Sequence, residues 1–117
     1  MAEFLFDAYA VQRRLVVNRP IHAGTIYDRL VEYGGKFFKV QIKCVTKYHR
    51  PSGGMNVKLH RSKNKFYPIE LVDVFAVYFV PEDCWYIFHN VGQKNLTVNK
   101  NKYIEYKNNW DIFYETV

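Results

Sequence analysis

The sequence predicts an α/β (α+β) fold in which an N-terminal helix packs on a central mixed sheet of four or five strands. Three observations carry this prediction. Apolar residues near the N-terminus recur with a helical period, and later runs alternate with a period of two. The chain has 117 residues, which suits one domain and leaves no room for a second core. We therefore treat residues 1–117 as a single domain.

The first element is a helix predicted over residues 2–17. Apolar residues recur there at spacings of four, three and four, which gives one stripe along the helix. The members of that stripe are Phe4, Ala8, Val11 and Leu15. Asn18, Pro20 and Gly24 then interrupt the pattern, so the helix is expected to end near Asn18.

Two β-rich runs follow, over residues 26–33 and 36–47, separated by Gly34-Gly35. Two glycines tolerate the positive φ angles of a tight hairpin turn, so the runs are predicted to form a hairpin. The second run alternates between apolar and polar residues, which predicts one face toward the core and one toward solvent or a ligand. The polar face carries Lys39, Gln41 and Lys43.

Later runs complete the predicted sheet. Residues 72–80 are apolar except for Asp73, which is typical of a strand buried on both faces, and residues 84–90 are expected to pair back as the next strand. A short strand is expected over residues 56–60. The polar stretch from residue 96 to 117 is expected to be a variable tail that ends in a short helix.

The register of the hairpin places three chemically useful side chains together. If Gly34-Gly35 forms a two-residue loop, Asp28 lies opposite Gln41, and opposed residues share a face with Cβ atoms about 5 Å apart. Lys43 lies two residues farther along the same strand, on the same face, at roughly 7 Å. Asp28, Gln41 and Lys43 are therefore predicted to converge on one side of the hairpin.

These three residue types suit phosphodiester hydrolysis. A carboxylate and a side-chain carbonyl are hard oxygen ligands of the kind that Mg²⁺ prefers, and a neighbouring lysine can serve the attacking water and offset transition-state charge. The alternative is structural: Asp28 and Gln41 form an ordinary cross-strand polar pair, and Lys43 is a solvated strand lysine. Spacing alone does not decide between the two interpretations.

The segment from Tyr27-Asp28 through Gly35-Lys36 to Gln41-Ile42-Lys43 resembles the PD-(D/E)XK nuclease superfamily. It is most similar to the small branch in which the E-x-K element appears as Q-x-K, which includes Holliday-junction-resolvase-like proteins and intron-associated homing endonucleases. The resemblance extends from about Glu3 to Phe88 and implies a restriction-endonuclease-like core. The chain departs from the motif in two ways: Gln41 replaces a carboxylate, and no proline precedes Asp28.

The resemblance implies a DNA endonuclease that cuts phosphodiester bonds in homing or in junction resolution, with Asp28, Gln41 and Lys43 at its active site. It further implies one or two Mg²⁺ ions, with Mn²⁺ as a substitute, held by Asp28, Gln41, the Ile42 backbone carbonyl and Glu3 of the first helix. Lys43 would serve the water nucleophile.

The charge distribution indicates a polyanionic partner, here DNA. The formal charge is +6, and no acidic residue lies between Glu32 and Glu70, a stretch that carries nine basic residues. The alternative is a solvated basic face with no ligand. The residues expected to contact DNA are Lys39, Lys47, His49, Arg50, Lys58, Arg61, Lys63 and Lys65.

Two other functions remain open: a non-catalytic nucleic-acid-binding module that uses the same basic surface, and an interaction or inhibitor protein with a decayed nuclease core. One domain of this size reaches one scissile phosphate, so a homo-oligomer, a dimer or tetramer, is expected. Neither a signal peptide nor an apolar run of roughly 20 residues is visible, and Cys44 and Cys84 both read as buried thiols. We therefore expect no membrane association and a cytoplasmic, reducing location, compatible with a phage or mobile-element origin.

Overall fold

The computed structural model describes residues 2–22, 24–62 and 65–115. Its elements are one helix, nine strands and three 3₁₀ helices. They are α1 (Ala2–Gln12), β1 (Val16–Asn18), β2 (Arg29–Tyr33), β3 (Lys36–Val45), β4 (Met55–Lys58), β5 (His60–Ser62), β6 (Lys65–Phe66), β7 (Val74–Phe79), β8 (Cys84–His89), β9 (Asn95–Val98), and 3₁₀ turns at Val80–Glu82, Ile104–Tyr106 and Trp110–Phe113.

A mixed five-stranded sheet lies at the centre of the fold, in the order β1-β2-β3-β7-β8. The β3–β7 pair is parallel and the other three pairs are antiparallel. Two further pairs stand apart from the sheet: β4 with β9, and β5 with β6. The predicted helix on a mixed sheet of four or five strands is confirmed.

The β2–β3 hairpin has the predicted register. Tyr33 pairs with Lys36 and Arg29 pairs with Val40, so the loop is two residues long. Gly34 and Gly35 have φ values of 58° and 82°, the left-handed conformation that such a loop requires. The predicted start of the strand at residue 26 was wrong, because pairing begins at Arg29.

Helix α1 ends at Gln12, five residues before the predicted end. Arg14 adopts a left-handed φ of 62°, and the N–H groups of Arg14 and Leu15 donate to the carbonyls of Val11 and Ala10 at 3.0 and 3.1 Å. These two bonds form a Schellman motif, which turns the chain into β1. No glycine marks this end of the helix, which is why the sequence pattern overshoots it.

The buried face of α1 is not the predicted stripe. Phe4 and Val11 are 61% and 62% exposed, whereas Phe6 and Ala10 are fully buried. Leu15 is buried, but it lies beyond the end of the helix. The helix is apolar on more than one side, so periodicity alone does not select the face that meets the sheet.

Each face of the sheet has its own apolar cluster. The helix-side cluster includes Phe6, Val40, Ile42, Trp85, Trp110, Ile112 and Phe113. The ribbon-side cluster includes Met55, Val57, Leu59, Tyr67, Phe75, Val77, Phe79, Leu96 and Val98, and it is covered by the β4–β9 pair. The C-terminal stretch is therefore no polar tail, because its last turn fills part of the helix-side core.

Cys44 is exposed and Cys84 is buried, so the expectation of two buried thiols holds only for Cys84. Cys44 lies beyond Val40, the last residue of β3 that pairs with β2, where the strand has lost its neighbour on that side. Among the described residues, no helix has the length and apolarity needed to cross a membrane.

Candidate active site

Asp28 lies at the open end of the β2–β3 hairpin, one residue before β2. Its backbone N–H donates to the Val40 carbonyl at 2.8 Å, and its carboxylate Oδ2 accepts the Ile42 N–H at 2.8 Å. The side chain thus continues the hydrogen-bond ladder past the point where the backbone of β2 departs. The hydrogen bond from Ile42 fixes the carboxylate beside β3.

The electrostatic environment of Asp28 is that of a partly desolvated carboxylate. Burial is the main cause that raises the pKa of Asp28 above its ordinary value, and the neighbouring charge of Glu3 raises it further. The Ile42 N–H bond and the charges of Arg29 and Lys43 lower the pKa, but they do not cancel the burial. The ionised carboxylate therefore lacks compensation that a bound cation would supply.

Gln41 and Lys43 project from β3 onto the ribbon side of the sheet. In the parallel register they stand beside Phe75 and Val77, both members of the ribbon-side cluster. The Gln41 side-chain oxygen is buried and has no hydrogen-bond partner among the described residues. A buried carbonyl oxygen without a donor is costly, and a cation ligated there would remove that cost.

Lys43 is held by Tyr67, a contact that the sequence did not indicate. The Lys43 Nζ donates to the Tyr67 hydroxyl at 3.2 Å and lies 5.0 Å from the centre of its ring. Tyr67 is 8% exposed, its ring packs edge-on against Phe75, and its carbonyl accepts the Asn90 side-chain N–H at 2.9 Å. A buried, doubly anchored tyrosine thus fixes the position of the ammonium group.

Glu3 reaches the site because α1 is tied to β2 by a largely buried ion pair. Arg29, 4% exposed, donates from Nε and Nη2 to the two Asp7 carboxylate oxygens at 2.7 and 3.1 Å. Arg29 also donates from Nη1 to the Asp28 carbonyl at 2.8 Å. The first turn of α1 is thereby placed so that Glu3 and Asp28 line one open cleft of about 310 Å³.

The donor set fits a hard cation that retains water. Within residues 2–22, 24–62 and 65–115, no group of three or more histidine, cysteine or acidic side chains is placed to hold a metal. The candidate oxygen donors are the carboxylates of Asp28 and Glu3 and the neutral side-chain oxygen of Gln41. The Ile42 N–H donates to Asp28, so the backbone of β3 lies beside this carboxylate. Mg²⁺ commonly binds through one or two carboxylates together with substrate phosphate, so the residues suit Mg²⁺ with substrate present.

The predicted DNA-contacting residues occupy different environments. Lys47, Arg50 and Lys58 are exposed. Lys39 is occupied, because its Nζ donates to the Glu70 carbonyl at 2.6 Å, and the His49 ring bonds to the Ser52 hydroxyl at 3.0 Å. Lys63 and the side chains of Arg61 and Lys65 lie outside what the structure describes.

The fold is a helix on a mixed five-stranded sheet, and its central hairpin carries Gln41 and Lys43 on β3 with Asp28 bonded to the same strand. The family model described as PD-(D/E)XK endonuclease matches residues 2–113, and the chain belongs to that family.

Among solved structures, the chain is similar to a bacterial homing endonuclease, I-Ssp6803I, with a TM-score of 0.78 and 20% sequence identity. The match covers 95% of this chain and 86% of that one, so the two share a fold over nearly their whole length. A search of curated proteins found no match.

Proposed function

We propose that this protein is a Mg²⁺-dependent DNA endonuclease of the homing type, with its active site on Asp28, Gln41 and Lys43. The observation that carries the proposal is the attachment of the Asp28 carboxylate to β3, the strand that bears Gln41 and Lys43. Asp28 is bonded to the backbone of β3 between the other two, and the Lys43 charge acts on its carboxylate. Membership of an endonuclease family supports the same conclusion.

In this proposal Asp28, the Gln41 oxygen and the Ile42 carbonyl hold the metal, with Glu3, which lines one cleft with Asp28, as a further carboxylate. A metal bound there would polarise the scissile phosphate and acidify its own water ligand. Mn²⁺, which accepts the same oxygen donors, would substitute. Binding requires Asp28 to be ionised, and its raised pKa makes this occupancy sensitive to mild acid.

Lys43 positions the attacking water and stabilises the charge that develops on the phosphate oxygens. Its contact with the Tyr67 hydroxyl, in which the ammonium is the donor, leaves two N–H groups for water and phosphate. The exposed Lys47, Arg50 and Lys58 supply contacts to the flanking DNA backbone, whose contribution falls steeply with salt.

The test is a cleavage panel with a random linear duplex library, supercoiled plasmid and a four-way junction, each with Mg²⁺ or Mn²⁺. We expect cleavage at a defined duplex sequence, and a loss of at least about 10²-fold in Asp28→Ala and Lys43→Ala. Asp111→Ala, an exposed acid on the last 3₁₀ turn, serves as the matched control and should cut normally. Preferential cleavage of the four-way junction would indicate junction resolution instead of homing.

A non-catalytic DNA-binding module is the second candidate, favoured by Gln41 in the place of a carboxylate. Under that candidate the wild-type protein binds DNA but cuts none of the three substrates with either metal. Such a result would end the endonuclease proposal.

We also propose that the active form is a homo-oligomer. Each chain carries one Asp28–Lys43 site, and a double-strand break needs two phosphodiesters cut on opposite strands. A symmetric pair of chains supplies two sites at once.

A further inference from the structure

The β4–β9 ribbon presents an outward face made entirely of hydrogen-bonding side chains. Alternate residues, Met55, Val57, Leu96 and Val98, are buried against the sheet. The residues between them form the outward face, on which Lys58 and Asn95 are exposed and Asn56 and Thr97 are half-buried. We call these four residues the ribbon face: Asn56, Lys58, Asn95 and Thr97.

The two chain segments that supply the ribbon carry formal charge of one sign only. β4 comes from residues 33–69 and β9 from residues 84–104, and neither stretch contains an acidic residue. Together the two stretches carry twelve of the 17 basic residues of the chain. An ordinary solvated ribbon mixes both signs of charge, so the pairing of two acid-free stretches indicates a polyanionic partner.

We propose that the β4–β9 ribbon enters the major groove of DNA and that the ribbon face contacts base edges; the inference rests on the proposed function, for which DNA is the substrate. The major groove is about 12 Å wide and admits a two-stranded ribbon. Asparagine pairs with adenine, lysine with guanine, and threonine with the thymine methyl group, so the ribbon face carries the side chains that direct readout uses.

The strand register sets the spacing of the contacts. Asn56 pairs with Thr97, and Lys58 pairs with Asn95, two residues farther along. Two residues of strand span roughly 6.7 Å, and consecutive base pairs are separated by about 3.4 Å. The two cross-strand pairs are therefore matched to base pairs two steps apart.

Contacts within the chain hold the ribbon in one conformation in the absence of a ligand. The Asn56 side-chain N–H donates to the Thr97 hydroxyl at 2.6 Å, which fixes the plane of the amide. At the start of β4, a Cβ on Gly54 would overlap the Val98 carbonyl oxygen, so the chain passes close to β9 where only glycine fits. Rigid presentation lowers the ordering cost of binding.

The ribbon also lies on the correct side of the molecule. Its buried residues pack on the same sheet face from which Gln41 and Lys43 project. Beside it is a cleft of about 350 Å³ lined in part by Asn95, Thr97 and Lys102. Lys102 is thereby placed to contact a phosphate flanking the bases that the ribbon face reads.

The experiment measures binding, without divalent metal, to a randomised duplex library. Asn56→Ala and Asn95→Ala are each expected to relax base preference at one position, the two positions lying two base pairs apart, and to weaken the preferred sequence by about 5- to 150-fold. Lys102→Gln is expected to lower the slope of log affinity against log salt by about one and to leave the base preference unchanged.

Gln12→Ala removes an exposed amide at the end of α1, on the opposite side of the sheet, and serves as the control that changes neither quantity. Circular dichroism confirms that each variant is folded. Unchanged base preference in both asparagine variants, or no DNA binding by the wild type, overturns the inference even if another part of the chain supports cleavage. Ribbon-dependent preference in a protein that never cuts would uphold the inference and end the endonuclease proposal.

Discussion

At the scale of single residues, the site combines a carboxylate that is costly to ionise with an amide oxygen that lacks a donor. Both features destabilise the fold, and in the proposed function one cation would relieve both. The groups proposed to hold Mg²⁺ therefore also make the protein less stable than its packing allows.

Asp28→Asn is expected to raise the melting temperature of the metal-free protein at pH 7, because the amide is neutral and its oxygen still accepts the Ile42 N–H. The pKa of Asp28 is raised in the folded state, so stability is lost as pH rises through that folded pKa. The difference between variant and wild type should disappear below the unfolded pKa of about 3.9.

Thermal unfolding with a chelator, repeated across pH, measures this difference, and added Mg²⁺ should then stabilise the wild type alone. A variant that melts below the wild type at pH 7 and above it in acid would contradict the assignment of Asp28 as an uncompensated carboxylate.

Tyr67→Phe is expected to lower kcat about tenfold with little change in KM or melting temperature. It removes the hydroxyl that fixes the Lys43 ammonium but keeps the buried ring, and hydrogen bonds to charged groups are worth about 1.5–3 kcal/mol. Steady-state cleavage of the preferred duplex measures the effect. Tyr86→Phe, the same change within the ribbon-side cluster but on β8, is the control; equal losses in both variants would indicate a general packing effect.

The register of the hairpin that bears Gln41 and Lys43 could be predicted, because it follows from two glycines and an alternating strand. The contact of Tyr67 with Lys43 and the Arg29–Asp7 ion pair could not be predicted. These contacts join residues 24 and 22 positions apart, and they exist only because the sheet and helix have packed. Local pattern predicts which residues share a strand face, not which distant side chain meets them.

At the scale of elements, the sequence pattern predicted β3, β7 and β8, but not β1, β9 or the end of α1. β7 and β8 were predicted within two residues because both are continuous apolar runs ended by turn residues. The end of α1 is set by Arg14 in a left-handed conformation, which arginine has no intrinsic tendency to adopt. Tertiary packing of Leu15 and β1 overrides the local preference there.

Arg14→Gly is expected to stabilise the protein by about 0.5–1 kcal/mol, because glycine adopts the left-handed φ without steric cost, partly offset by a more flexible unfolded chain. Urea unfolding measures the change. Arg13→Gly is the matched control and should destabilise, since Arg13 donates to the Tyr9 carbonyl and lies 4.7 Å from the Trp110 ring centre. A loss of stability in Arg14→Gly would contradict the helix-capping role.

Gly54→Ala is expected to destabilise the protein by more than Gly53→Ala and to weaken DNA binding. A methyl group at Gly54 overlaps the Val98 backbone and forces β4 away from β9, whereas one at Gly53 meets nothing and costs only the strain of a positive φ, about 1–2 kcal/mol. Unfolding and DNA binding of the two variants provide the comparison. Equal effects would show that the ribbon tolerates separation of its strands.

At the scale of the whole molecule, the two faces of the sheet are covered by different elements. The helix side is closed by α1 and the last 3₁₀ turn, while the ribbon side carries Gln41, Lys43 and the β4–β9 ribbon. The length and pattern of the sequence predicted the helix layer on the central sheet, but neither the β4–β9 layer on its other face nor the folding of the last turn into the core. That turn follows a polar stretch, and its burial depends on a space left beside α1.

If the active form is a homo-oligomer, mixing wild-type subunits with excess Asp28→Ala subunits should convert the product on a plasmid that carries the preferred site from linear to nicked circular DNA. The inactive subunit occupies one half of the complex, so only one strand is cut. Gel analysis of plasmid forms measures the ratio, and an unchanged share of linear product at reduced rate would indicate that one chain cuts both strands in turn.

Both tryptophans of the chain, Trp85 and Trp110, lie in the helix-side cluster with their rings 6.1 Å apart. Intrinsic fluorescence excited at the indole band therefore reports on the helix side of the protein only. A ligand that rearranges the ribbon would leave this emission nearly constant, while detachment of the first helix would change it at once. The two tryptophans therefore do not report on the half of the molecule where we place DNA, and a probe attached to the ribbon itself is required to detect movement there.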